Sequence, residues 1–122
     1  MPRTKFWGYA YKEPPPTLLI FYHDRQVAEL EEDPKGYVFR YLPEFRHMNL
    51  TPFPGLPADQ SESFFYQLPT YFQERLPDLR RPEIREYMLR NEISADSKLQ
   101  LLAELSSHTV TDPFEFRLKI AA

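Results

Sequence analysis

Proline sets the first limit on this chain. Thirteen of the 122 residues are proline, and beyond the triplet Pro14-Pro15-Pro16 they recur at 34, 43, 52, 54, 57, 69, 77, 82 and 113. A proline lacks the amide hydrogen and clashes with the preceding helical turn, so helices have to fit between them. There are only three glycines, so this is not a flexible low-complexity composition. The prolines fall between apolar runs and read as punctuation between short elements of one domain.

Residues 1–16 read as an arm with a Pro-rich linker, and 17–120 as the domain proper. In the arm, Phe6, Trp7, Tyr9 and Tyr11 have strand character until the triple proline imposes extended geometry. Leu18 to Tyr22 and Val27 to Leu30 flank a polar stretch, His23 to Gln26, and predict a β-hairpin. Asp33-Pro34-Lys35-Gly36 is a turn signal. A third strand follows, with Tyr37, Phe39 and Tyr41 on one face and Val38 and Arg40 on the other. Pro43 ends it, and Glu44-Phe45-Arg46 suits a single helical turn.

Between 47 and 69 four prolines exclude a long helix. Asn49 to Phe53 is expected as an edge strand and Gly55 to Ser63 as a loop. Three short helices follow. The first starts with Thr70 as its cap and stops at Pro77. The second starts at Pro82, with Ile84, Tyr87 and Met88 at helical spacing, and the third follows Asp96 or Ser97 with Leu99, Leu102 and Ala103 on one face. Phe114, Phe116 and Leu118 alternate with charged residues as a closing strand. The expected class is α+β: a small antiparallel β-sheet with three short helices packed on it.

Composition narrows the function. The net charge of −3 argues against nucleic acid as the main partner. Absence of cysteine excludes disulfides, thiolate zinc sites and a thiol nucleophile. His23, His47 and His108 stand singly, with no metal-ligand spacing. No stretch resembles a signal peptide or a membrane span, so a cytoplasmic protein is expected, without membrane or direct nucleic-acid binding and without cofactor or metal.

Two clusters stand out. Glu29, Glu31, Glu32 and Asp33 read as a solvated acidic turn rather than an acid–base pair. Between Phe64 and Arg90, aromatics interleave with arginines. Of Phe64, Phe65, Tyr66, Tyr71 and Phe72, two or three must fill the core, and the remainder are candidate anchors for a partner. Arg75, Arg80, Arg81, Arg85 and Arg90 are nearly neutralised by Asp78, Glu83, Glu86 and Glu92. They read first as a salt-bridged helix face and second as a contact for an acidic protein.

The order of these elements resembles the small N-terminal subdomain of HipA-type serine/threonine kinase toxins, over about residues 18–118. Val27-Ala28-Glu29-Leu30 is similar to that family's Val-Gly-x-Leu strand. Tyr37 to Glu44 is similar to its Phe-x-Tyr-x-Pro-Glu segment, Phe72 with Leu76-Pro77-Asp78 to its Phe…Leu-Pro-Glu stretch, and Leu101-Leu102-Ala103 to its late Leu-Leu-Ala helix. Ala28 replaces a common glycine, and Arg80-Arg81-Pro82-Glu83 has no close counterpart.

The resemblance implies a chain that is not itself a kinase, since a glycine-rich loop, nucleotide lysine and metal-binding acids are missing. It implies an antitoxin-like regulator whose partner is a HipA-like kinase subunit, in complexes that can include a helix-turn-helix DNA-binding protein. The expected partner-binding residues are Phe64, Phe65, Tyr66, Tyr71, Arg75, Arg80, Arg81 and Arg85. Alanine at Phe65, Tyr71 and Arg81 is expected to weaken binding and preserve the fold. A stand-alone adaptor with another partner is the rival reading. An enzyme of another type would need a catalytic constellation that the sequence does not offer.

Overall fold

A computed structural model of the chain describes residues 16–59, 61–105 and 113–119. The arm with Trp7, and His108, lie outside these residues. Strand β1 (Thr17–Tyr22) turns into β2 (Arg25–Asp33) through His23 and Asp24 alone. Both adopt positive φ, 49° and 65°, the geometry that matches a tight turn to the twist of a hairpin. Asp33, Pro34 and Lys35 lead into β3 (Gly36–Tyr41), and the Lys35 amide donates to the Asp33 carboxylate at 2.9 Å.

Helix α1 (Pro43–His47) follows at once. Pro43 both stops β3 and opens α1, where a missing amide hydrogen costs nothing. The remaining elements are β4 (Glu62–Phe65), α2 (Thr70–Gln73), α3 (Pro82–Arg90), α4 (Lys98–Leu105) and β5 (Phe114–Lys119). Among the described residues the sheet has five strands in the order β4-β3-β2-β1-β5, all antiparallel. The domain is therefore α+β, as the sequence predicts, with α1 as the single turn beside the three expected helices.

Register places one row of side chains on the inner face of the sheet: Leu18, Ile20, Leu30, Phe39, Tyr41 and Phe116. All six are buried. Phe45, Phe53, Leu56, Tyr71, Phe72, Leu99 and Leu102 close over them. A register shift at Ile20/Phe21 leaves Val27 without a partner on β1. Such a bulge lets consecutive residues break strict alternation, and Val27 and Ala28 are both fully buried.

Three expectations need correction. Asn49 to Phe53 is not a strand. Pro52 and Pro54 flank Phe53, and the Phe53 amide donates to the Tyr41 hydroxyl at 2.8 Å rather than to a ladder. The edge strand is β4, within and just after the stretch assigned to a loop; Gly36 admits it. A Cβ on Gly36 would stand 2.1 Å from the Phe65 carbonyl oxygen and 2.9 Å from the Tyr66 Cα. Nor is the acidic cluster a solvated turn. Glu29, Glu31, Glu32 and Asp33 belong to β2, and Glu29 and Glu31 share Arg40 with Glu62 at 3.3, 3.0 and 2.7 Å. Finally, Pro69 caps α2 in place of Thr70, with no side-chain bond.

Candidate partner-binding surface

The structure separates the eight predicted residues by burial. On β4, Phe65 pairs with Tyr37 across the ladder and packs against the main core, while Phe64 pairs with Val38 on the outer face. Phe64 is 44% exposed and Tyr66, just past the strand, 79%. Their rings meet edge to face at 4.9 Å. A large ring left this open gains little from folding and is available to a partner.

Tyr71 is a core residue. It stacks on Phe53 at 4.6 Å and meets Phe72 edge to face. Burial pushes its hydroxyl up to about 12, the Arg75 guanidinium opposing and Tyr41 adding to the rise. Arg75 is half-buried with its guanidinium 4.0 Å above the Tyr71 ring, a cation–π contact that closes the core at this point. Alanine at Tyr71 or Phe65 would therefore open the core, and the expectation that both changes preserve the fold is corrected.

The other three arginines are exposed at the start of α3. Arg80 meets Asp78 at 3.1 Å, and this bond holds the Asp78 carboxyl below its ordinary range. Arg81 meets Glu83 at 2.9 Å. The Glu86–Arg90 pair predicted from the sequence forms at 2.9 Å. Exposed pairs of this kind are worth about 0–1 kcal/mol, so a partner's carboxylates can replace them at little cost. Arg85 is exposed one turn beyond Arg81, and Leu89, one turn further, is 80% exposed. Leu89 was not among the predicted residues. Its signal in the sequence is its place around the helix, about 100° or more from each of Ile84, Tyr87 and Met88.

The Pro-Glu corner is structural: Glu44 accepts a hydrogen bond from Arg25 at 2.9 Å, tying α1 to the first hairpin turn. Among the described residues, no three His, Asp or Glu side chains are grouped to hold a metal ion. No described helix is long and apolar enough to cross a membrane.

An aromatic antiparallel sheet, a Pro-Glu corner and a late Leu-Leu-Ala helix are now placed in one fold. The family described as HipA N-terminal domain matches residues 18–110. The chain belongs to this family. Among solved structures, the N-terminal domain of HipA toxin superposes with a TM-score of 0.59 at 16% identity, covering 88% of this chain and 95% of that one. At that identity the superposition shows the shared fold. No curated protein matches. The family match ends before β5, yet β5 pairs with β1 along its whole length, from Thr17–Lys119 to Tyr22–Phe114.

Proposed function

We propose that this chain is a non-catalytic regulator that binds and restrains a HipA-type serine/threonine kinase. The observation that carries this reading is the family match over residues 18–110, which is to the HipA N-terminal domain and not to a kinase catalytic domain. Only three glycines occur in the chain, at 8, 36 and 55, so it has no glycine-rich nucleotide loop of its own. A module that packs on a kinase body in one polypeptide can do so as a separate chain, and it restrains the kinase if it binds the inactive arrangement more tightly.

The contact falls on the exposed members of the predicted set: Phe64 and Tyr66 on the sheet edge, and Arg80, Arg81 and Arg85 on the helical side. A helix-turn-helix DNA-binding protein is a further member of the complex that this reading accommodates.

Co-purification from the native host, followed by a phosphorylation assay on what is captured, tests the proposal. A kinase should co-purify, and adding excess chain should lower its activity at least ~10-fold, which takes a preference for the inactive state of at least about 1.4 kcal/mol. The triple change Phe64→Ala, Tyr66→Ala and Arg85→Ala, all at exposed positions, should abolish capture without altering the fold. Repeated absence of a kinase, or a captured kinase indifferent to added chain, overturns the reading.

A further inference from the structure

Strand β4 closes one side of the described sheet, and its outer edge is open. Neighbouring residues of a strand turn their N–H and C=O groups to opposite sides, so two of the four residues of β4 turn theirs away from β3. Among the described residues only β3 bonds to the Glu62–Phe65 backbone. Such an edge is a template for another chain unless lysine, proline or an inward-pointing charge guards it. From Glu62 to Tyr66 there is no lysine and no proline. The one charge, Glu62, lies with Arg40 on the outer face and is bonded to it at 2.7 Å.

The side chains along this edge are their own complement. Phe64 and Tyr66 are two of the three large apolar side chains left exposed among the described residues. They stand with Glu62 in one outer row, ring against ring at 4.9 Å. Glu62 engages Arg40 through Oε2, and no described group bonds its Oε1 or the Tyr66 hydroxyl. A free carboxylate oxygen and a free hydroxyl thus lie on either side of Phe64. In a two-fold antiparallel pairing with Phe64 opposite its own copy, Glu62 faces Tyr66 of the second copy, and Tyr66 faces its Glu62. On the inner face the same register sets the small Ser63 opposite the large Phe65. A centre at Ser63 would set Glu62 against Phe64, and a centre at Phe65 would set it against the buried Leu68. Of these three registers, only the one centred on Phe64 matches carboxylate to hydroxyl.

We propose that the free chain pairs with a second copy of itself, edge to edge through β4, about a two-fold axis at Phe64. An isologous contact uses one patch on both copies, which is what a self-complementary row provides. The strand is short, so the contact is small and weak. It covers Phe64 and Tyr66; on the reading proposed above, self-pairing and kinase binding therefore compete for the same rings. The pairing itself does not depend on that reading.

Sedimentation equilibrium of the whole chain tests this, from ~10 μM to ~2 mM in ~0.15 M salt, where repulsion between two chains of −3 is screened beyond ~8 Å. The mass should rise from one chain to two across this range. Phe64→Lys sets two ammonium groups against each other on the axis and should weaken association at least ~10-fold, as should Phe64→Glu with two carboxylates. An equimolar mixture of these two variants should associate at least ~10-fold more tightly than either alone, because opposite charges then meet. Tyr66→Phe, at a position 79% exposed, should weaken pairing ~5-fold by removing both hydroxyls and should leave the circular dichroism unchanged. A single-chain mass at every concentration would leave the edge to another protein's strand and overturn the pairing. A Phe64→Lys variant that associates like the unaltered chain, or a mixture no tighter than its components, overturns it too. A monomeric chain that captures a kinase overturns the pairing alone, and a self-paired chain that captures none overturns the kinase reading alone.

Discussion

The described residues form two hydrophobic clusters of different construction. The larger is backed by the sheet: Leu18, Ile20, Leu30, Phe39 and Phe116 form its floor, and α1, α2, α4 and the Phe53–Leu56 loop form its roof. The smaller contains Met88, Ile93 and Leu101, with Leu79, Ile84, Tyr87 and Leu105 partly buried around it. Helix α4 is the seam. Leu99 and Leu102 are three apart and face the sheet, while Leu101, about 200° from Leu99 around the helix, faces α3. The rings of the larger cluster interlock: Phe39 meets Phe72 at 6.0 Å, and Phe72 meets Phe116 at 5.8 Å. Among the described residues the smaller has no backing strand. The difference teaches that the sheet and its roof are one cooperative unit, whereas α3, with its exposed arginines and Leu89, rides on a satellite that can open first.

The largest expected effect comes from the first cluster. Phe72 is fully buried and touches rings from β3, β5 and α2. Phe72→Ala should lose about 3–5 kcal/mol, a major share of a typical net stability of roughly 5–15 kcal/mol. Urea unfolding should show a lower midpoint for every probe at once. A loss below about 1 kcal/mol would contradict a single ring-filled core.

Met88→Ala comes next and separates the clusters. It should cost about 2–3 kcal/mol, but amide exchange should accelerate mainly in residues 82–93 and leave β1–β3 protected. Uniform acceleration across the sheet would show that α3 opens only with the rest of the domain.

The same contrast governs what the sequence revealed. Alternation at Tyr37-Phe39-Tyr41 and Phe114-Phe116-Leu118 specified two strands and their buried face, because one-sided burial leaves a period-two record. The turns at 33–36 and Pro43 were legible for a similar reason, since proline and glycine have local backbone consequences. β4 was not legible. It is a four-residue edge strand, Glu-Ser-Phe-Phe, held by Gly36 and by the Arg40–Glu62 bridge from the next strand; nothing local specifies the close approach of a glycine far earlier in the chain. The acidic cluster misled for the same reason, because its cation, Arg40, arrives across the sheet. Of the predicted surface residues, Tyr71 and Phe65 went to the core because aromatic identity does not record exposure.

Two tyrosines within the larger cluster give the finest comparison. Both are buried at 8% exposure. Tyr41 is fully used: its hydroxyl accepts from the Phe53 amide at 2.8 Å and donates to the Leu56 carbonyl at 2.5 Å. The Tyr71 hydroxyl finds no hydrogen-bond partner among the described residues. Tyr41→Phe strands two buried backbone groups and should cost about 1–3 kcal/mol. Tyr71→Phe removes an unpaired polar atom and keeps the ring stacked on Phe53, so it should be neutral or gain up to about 1 kcal/mol. Burial holds both hydroxyls at about 12 against an ordinary 10, with the Phe53 amide opposing at Tyr41 and the Arg75 guanidinium at Tyr71. Their folded values are raised, so the stability they contribute is complete below about pH 10 and is lost as pH climbs from 10 towards 12. Tyr71→Phe should accordingly flatten the fall in melting temperature over that window, and Tyr41→Phe should flatten it from a lower starting point. A Tyr71→Phe variant destabilised by more than about 1 kcal/mol, with an unchanged alkaline slope, would mean that this hydroxyl is bonded after all and that the two tyrosines are equivalent.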